Sequence, residues 1–251
     1  ELILNGFESF MNEEGKTKNT IKNYMADVRK IIGGTRGDAA FTPTQKAYNE
    51  YAQQIKKSDL KPATINRRLM SLRLLFRYLM ETGQCERFPL DNKDTKAINV
   101  QQTALDTRWL ETHQVREIFT TIDKLYEGNI RLKVRAMFSL MVNCGLRISE
   151  VTDLKRSDVD FEHGLLHVFG KGGKYRIVPF NTAVARNLKA WYACEPAKGV
   201  YVFHSNRNDK MSVRGAQHFA EAIQAQVKFE FTIHGLRHTA LKALADATGS
   251  I

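Results

Sequence analysis

Three short segments of the sequence combine cationic side chains with residues that could orient them. The first, residues 144–151, reads Cys-Gly-Leu-Arg-Ile-Ser-Glu-Val. Gly145 would let the chain turn into a new helix, which would set Arg147 near the N-terminus of that helix and Glu150 where it can orient the guanidinium group. An ordinary Arg–Glu pair on the surface explains the same spacing.

The second segment is the glycine-rich turn 170–174, Gly-Lys-Gly-Gly-Lys. It presents a primary amine at the tip of a predicted hairpin, from which the amine could reach into a groove and donate a proton. The segment lacks the G-x-x-x-x-G-K-[ST] spacing of a phosphate-binding P-loop. A solvated turn without a chemical role is the alternative.

The third segment, residues 233–239, reads Ile-His-Gly-Leu-Arg-His-Thr. On a helix His234 and Arg237 share a face, and His238 lies one turn from His234. Two histidines four residues apart suggest zinc, but Gly235 stands where the H-E-x-x-H motif has its glutamate. We therefore predict no metal site.

Cations of this kind suit chemistry on a phosphodiester. Cleavage without a metal needs fixed positive charges around the phosphate, because charge grows on the non-bridging oxygens in the transition state. Arginine serves this purpose through its permanent charge and its two-pronged donor geometry.

The elements that position these segments are mostly helices. Apolar residues at helical spacing predict helices at 3–12, 20–32 and 44–57, and a fourth after Pro62. No acidic residue occurs between Leu60 and Met80, a stretch with several arginines. This one-sided charge favours contact with phosphates over an ordinary exposed face. The arginines are Arg67, Arg68, Arg73 and Arg77.

In the second half, helical patterns occupy 112–125, 130–143, 149–155, 182–193, 212–227 and 235–247, and strand patterns occupy 165–169 and 175–180. The predicted fold is mainly α with a small antiparallel β-hairpin or sheet, in two domains. We expect a helical domain at 1–84, a polar linker at 85–106 and a second domain at 107–251.

The chain is basic, with 38 Lys and Arg against 27 Asp and Glu and a formal charge of +11. The excess extends over both halves, which favours nucleic acid over a membrane surface as the partner. No transmembrane stretch or signal peptide is evident, so we predict a cytoplasmic protein. The three cysteines are predicted to be reduced, buried thiols.

Three motifs follow one another along the chain: C-G-L-R-I-S-E, then G-K-G-G-K followed by Tyr-Arg-Ile-Val-Pro, then H-G-L-R-H-T. In this order they resemble the tyrosine recombinase family of phage integrases, Xer-type resolvases and transposon recombinases. The resemblance covers nearly all of the chain. The N-terminal half resembles the core-binding domain of the family, and residues from about 105 onward resemble its catalytic domain.

The resemblance implies a site-specific recombinase that cleaves and rejoins double-stranded DNA through a 3′-phosphotyrosine, without metal or nucleotide, as a homo-tetramer on two DNA sites. Arg147 and Arg237 would hold the scissile phosphate, with Glu150 supporting Arg147. Lys171 would protonate the departing 5′ oxygen and His234 would assist. A supporting role falls to His238, and the implied DNA contacts are Arg67, Arg68, Arg73, Arg77, Lys174 and Arg176.

The family places its nucleophilic tyrosine beyond the H-x-x-R motif, whereas the last tyrosine here is Tyr201. We do not expect Tyr175 or Tyr201 to substitute, because in-line attack requires an accurately placed oxygen. We therefore expect a chain truncated before its nucleophile, which binds DNA without cleaving it.

Two alternatives remain open. The first is a catalytically silent DNA-binding or architectural protein of the same fold. The second is a metal-dependent nuclease, although the acidic residues that suggest it lack ligand spacing. These residues are Asp153, Asp158, Asp160 and Glu162.

Overall fold

The computed structural model describes residues 2–33, 41–93, 96–98, 109–170, 175–194, 199–205 and 208–249. The chain divides into two compact units, residues 1–101 and residues 102–251. Each unit has a hydrophobic core of its own.

The first unit is built from helices α1 (Leu2–Glu13), α2 (Lys18–Gly33), α3 (Gln45–Lys56) and α4 (Pro62–Glu81), where the sequence predicts them. The Thr44 hydroxyl accepts a hydrogen bond from the Ala47 amide and caps α3. Helix α4 joins the two apolar clusters of this unit. Its Leu75 and Leu79 pack with α1 and α2, and its Leu72 and Phe76 pack with α3.

Part of the predicted linker runs along the first unit. The Tyr48 hydroxyl donates to the Leu90 carbonyl at 2.8 Å, and the Asn66 side chain forms two hydrogen bonds of 2.7 Å with the backbone of Ile98. Residues 94–95 and 99–106 lie outside the described residues. The domain boundaries at 84 and 107 stay predictions.

The second unit contains α5 (Thr112–Leu125), α6 (Gly128–Cys144), α7 (Ile148–Asp153), α8 (Thr182–Cys194), α9 (Val213–Gln224) and α10 (Ile233–Thr248). Helix α6 forms the middle of the core, because Val134 and every residue from Ala136 to Val142 are buried. Helices α8 and α10 pack against it. Helix α7 is shorter than predicted and is followed by a 3₁₀ turn, Arg156–Asp158.

A three-stranded antiparallel sheet lies beside these helices, in the order β1 (Val159–Asp160), β2 (Leu165–Phe169) and β3 (Tyr175–Pro179). The β2–β3 pairing confirms the predicted strands, whereas β1 was not predicted because two residues carry no alternation. The faces differ: Leu166 and Val168 are buried, while Phe169, Tyr175 and Ile177 are exposed. The predicted fold class is confirmed.

The cysteines form no disulfide among the described residues and are partly rather than fully buried. Burial raises the pKa of the Cys144 thiol to about 12. Among the described helices, none combines the length and the apolar character that crossing a bilayer requires.

Candidate functional site

The junction between α6 and α7 sets the geometry of the site. Gly145 ends α6 in the left-handed region, with φ 63° and ψ 28°, which confirms the predicted turn. A side chain there would begin 3.4 Å from the Ala240 Cβ and 3.8 Å from the Arg237 carbonyl oxygen, so glycine also admits the close approach of α10. Arg147 follows as the N-cap residue of α7.

Glu150 lies at the centre of the site, with only 5% of its side chain exposed. Its Oε2 atom accepts a hydrogen bond of 2.7 Å from the backbone N–H of Arg147, as a glutamate at the third position of a helix does in a capping box. Its Oε1 atom accepts one of 3.0 Å from Nη1 of Arg147. The predicted Arg–Glu pair is therefore present, and its carboxylate is buried.

Arg176, on β3, binds the same carboxylate with both ends of its guanidinium group. Nη1 donates to Oε1 and Nη2 to Oε2, each at 2.8 Å. Such bidentate pairs are among the strongest and most directional contacts between side chains. With the two bonds from Arg147, Glu150 accepts four hydrogen bonds, which fills the lone-pair positions of a carboxylate.

Arg237, on α10, supplies a third guanidinium group. Its Nη1 atom lies 3.9 Å from Oε2 of Glu150 and donates a hydrogen bond to the Gly145 carbonyl. The side chain of Arg237 is 18% exposed and that of Arg147 is 51% exposed. The H-x-x-R and G-L-R segments, 90 residues apart in sequence, thus meet at one carboxylate.

Three guanidinium groups around one carboxylate leave a formal surplus of two positive charges. Burial by itself raises the pKa of Glu150, but the hydrogen bonds from Arg176 and Arg147 outweigh it and lower the pKa from 4.5 to about 2. Burial, reinforced by the charge of Arg147, lowers the pKa of Arg237, which still stays protonated at neutral pH. The arrangement can bind an oxyanion such as a phosphate.

The first two turns of α10 carry the predicted histidines. Thr232 caps the helix by accepting a 2.9 Å hydrogen bond from the Gly235 amide. His234 is exposed, and its ring packs edge-on against His238 with the centroids 4.6 Å apart. In the described ranges no group of three His, Cys, Asp or Glu side chains could hold a metal ion.

Lys171, the predicted proton donor, and Lys174, a predicted DNA contact, fall between β2 and β3 in the sequence. Lys171 and Lys174 lie outside the described residues. Arg176, a predicted DNA contact, has both Nη atoms on Glu150, and its contact with DNA stays a prediction. The alternation of residues along β3 could have indicated an inward contact of this kind. Arg176 alternates with Tyr175 and Ile177 and so lies on the inner face of the sheet.

The arginines of α4 form ion pairs within the first unit. Asp27 of α2, only 4% exposed, accepts hydrogen bonds from Arg67 and Ser71 and lies 3.6 Å from Nε of Arg68. The lack of acids between Leu60 and Met80 therefore does not leave these arginines unpaired. The role of the α4 arginines in DNA contact stays a prediction. Three further ion pairs join Arg73 to Asp91, Arg77 to Glu14, and Arg77 to Glu81 at the end of α4.

Comparison with known families gives two matches. The model of the "Phage integrase family" matches residues 108–251, and that of the "Phage integrase, N-terminal SAM-like domain" matches residues 4–83.

Among individual relatives, tyrosine recombinase XerA of Pyrococcus horikoshii is 27% identical over 241 residues, which cover 94% of this chain and 77% of that protein. Tyrosine recombinase XerC of Chlorobaculum tepidum is 34% identical over 149 residues. That match covers 54% of this chain and only 43% of the relative, so the chain spans less than half of that protein.

Two solved structures share the fold. A lambda integrase (75–356) dimer bound to a COC′ core site has a TM-score of 0.74 at 20% identity, over 99% of this chain and 90% of the other. A lambda integrase tetramer bound to a Holliday junction has a TM-score of 0.70 at 20% identity, over 97% of this chain and 72% of the other.

Proposed function

Because the chain belongs to the phage integrase family, we propose that it acts on double-stranded DNA as a tyrosine-type site-specific recombinase. Membership of this family supports site-specific DNA recombination as the activity. The observation that carries the proposal is the meeting of Arg147 and Arg237 at one buried carboxylate. Both arginines belong to the motifs that suggest phosphate chemistry.

In this proposal Arg147 and Arg237 bind the non-bridging oxygens of the scissile phosphate. One side-chain nitrogen of Arg147 donates a hydrogen bond to Glu150, and half of the side chain is exposed, so its other N–H groups can reach a ligand. Arg237 is held in place by the hydrogen bond that its Nη1 atom donates to the Gly145 carbonyl. Each donor would stabilise the growing negative charge of the transition state by about 3 kcal/mol, or about a hundredfold in rate.

In this proposal, proton transfer belongs to other side chains. Lys171 would protonate the departing 5′ oxygen, and His234, exposed at the start of α10, would assist in hydrogen bonding to the phosphate. His238 would support it, since its ring is in contact with that of His234.

The proposed assembly is a tetramer on two DNA sites, with a dimer on each. A lambda integrase of the same fold is known as a tetramer on a Holliday junction, which supports a multimer on DNA. The net charge of +11 supports binding to a polyanion, whose affinity should fall steeply as salt is added.

Transesterification needs a nucleophile, and the eight tyrosines of the chain end with Tyr201, before the H-x-x-R motif. Tyr175 is 67% exposed and alternates with Arg176, so it lies on the sheet face opposite to the guanidinium cluster. We propose that these 251 residues alone bind DNA without cleaving it. The second candidate is a catalytically silent DNA-binding protein of the same fold, which the following test distinguishes.

The test begins with selection of a bound sequence from randomised duplexes. A duplex carrying that sequence and a nick is then incubated in EDTA with the 251-residue chain or with the product of the full reading frame that encodes it. We expect the full product, unlike the chain, to form a covalent complex that survives SDS. Arg147→Ala and Arg237→Ala should each lower the rate of adduct formation about a hundredfold.

Arg186→Ala is the matched control, because Arg186 is exposed on α8 and has no ion pair among the described residues. It should leave the rate unchanged. Binding without an adduct from either protein would support the silent DNA-binding protein. Cleaved ends that appear in a parallel reaction with Mg²⁺ and are absent in EDTA would support a metal-dependent nuclease.

A further inference from the structure

Arg176 is the one arginine of the cluster that lies outside the motifs used in the proposed function, and its contacts differ from those of the other two. Both of its Nη atoms bind Glu150, whereas Arg147 uses one Nη atom on that carboxylate. The Nη1–Nη2 edge of Arg176 is therefore occupied, and three of its five N–H donors remain. Its side chain is also less exposed than that of Arg147, 35% against 51%, so Arg176 is the less accessible of the two to a phosphate.

Its bond to Glu150 restricts how that carboxylate can lie. A single hydrogen bond lets a carboxylate rotate, whereas two parallel bonds from a planar fork fix both oxygens. Arg147 binds one of these fixed oxygens through its side chain and the other through its backbone. The orientation of the Arg147 guanidinium group is thereby coupled to Arg176.

The bond also joins two elements that are separate in sequence. Arg176 pairs with Val168 in the register of β2 and β3, and Glu150 lies in the first turn of α7. The contact therefore fastens the sheet to the helix that begins at Arg147.

We propose that Arg176 is a positioning residue, which fixes the plane of the Glu150 carboxylate and through it the Arg147 guanidinium group, and does not bind DNA itself. This inference rests on the proposed function, in which Arg147 holds a phosphate. It departs from the expectation that Arg176 contacts DNA.

The test is a double-mutant cycle on the 251-residue chain with inorganic phosphate as the probe. Binding is followed through the NMR signals of the arginine side chains. Arg176→Met should weaken phosphate binding at Arg147 about tenfold, but by less than about twofold when Glu150→Gln is already present, because its effect passes through Glu150. Arg176→Lys should not rescue binding, since one ammonium group cannot replace a planar fork.

Arg186→Met is the matched control for the loss of one exposed positive charge. It should change phosphate binding by less than about twofold in either background. Equal effects of Arg176→Met and Arg186→Met would overturn the inference, as would full rescue by Arg176→Lys or an undiminished effect of Arg176→Met beside Glu150→Gln. Any of these results would leave covalent adduct formation, and so the proposed function, intact.

A second measurement needs no ligand. The pKa of Glu150, followed by carbon NMR of its carboxyl group, should rise clearly in Arg176→Met and stay near 2 in Arg186→Met. An unchanged pKa in a folded Arg176→Met protein would also overturn the inference. If the unsubstituted chain bound no phosphate, that result would count against the proposed function, while the Glu150 titration would still test Arg176.

Discussion

Replacement of Glu150 by glutamine should cost the second unit a measurable part of its stability. The change removes the buried negative charge and leaves three guanidinium groups facing one another. The pKa of Glu150 lies about 2.5 units below its usual 4.5, and each unit corresponds to about 1.4 kcal/mol. Solvent at the partly exposed arginines screens some of this, so we expect a loss of about 2 kcal/mol at pH 7.

The dependence on pH has a defined sign. A carboxyl group whose pKa is lower in the folded state stabilises that state above its unfolded pKa, and this contribution is lost as the pH falls through the folded value. The difference between the unsubstituted chain and Glu150→Gln should therefore be full above about pH 5.5 and shrink between 4.5 and 2. At pH 3 less than about half should remain.

The assay is urea denaturation followed by tryptophan fluorescence. Both tryptophans, Trp109 and Trp191, lie in the second unit, and Trp191 is fully buried. A loss of 2 kcal/mol should also lower the melting temperature by about 5 °C. Glu162→Gln is the control, because Glu162 is exposed in the same unit. Equal losses of stability from Glu150→Gln and Glu162→Gln would refute the reasoning. So would a stability difference between the unsubstituted chain and Glu150→Gln that grows as the pH falls.

Three further predictions concern other parts of the chain. Asp27→Asn should destabilise the first unit by about 2 kcal/mol in denaturation followed by circular dichroism, because it neutralises the buried carboxylate that pairs with two partly exposed arginines. Glu50→Gln at an exposed pair should cost less than about 0.5 kcal/mol. Gly145→Ala and Gly128→Ala both place alanine at positive φ, so each should lower the free energy of unfolding, measured in urea, by about 1 kcal/mol. Only Gly145→Ala should also weaken phosphate binding, because the Gly145 carbonyl accepts a hydrogen bond from Arg237. Cys144, with a pKa of about 12, should react with iodoacetamide at pH 8 only after unfolding. Mass spectrometry of peptides separates it from Cys85 and Cys194, and rapid labelling of Cys144 in the folded chain would contradict the prediction.

The helices were predictable because their signals are local. Apolar spacing located α1 to α4, and Gly145 marked the turn from α6 into α7. Strand β1 was missed because two residues have no periodicity, and it exists only by pairing with β2. Periodicity within one segment cannot show such a pairing.

The candidate site was partly predictable for a similar reason. The Arg147–Glu150 pair is three residues apart, so sequence spacing was sufficient. Arg176 reaches Glu150 across 26 positions. Most partners of the α4 arginines lie outside that helix, and Glu81 at its last residue is the exception among the described pairs. Charge counted within one helix therefore overestimates how many cations stay unpaired, since tertiary contacts bring acids from elsewhere.

Glu150 performs two tasks with the same two oxygen atoms. They cap the first turn of α7, and they anchor the arginines around the proposed phosphate site. Loss of the Glu150 carboxylate would therefore release the arginines and remove the capping bond in one step, so stable folding alone is a reason to retain it. A relative that had ceased to cut DNA would still gain from this carboxylate, so its presence does not by itself distinguish an active recombinase from a silent one.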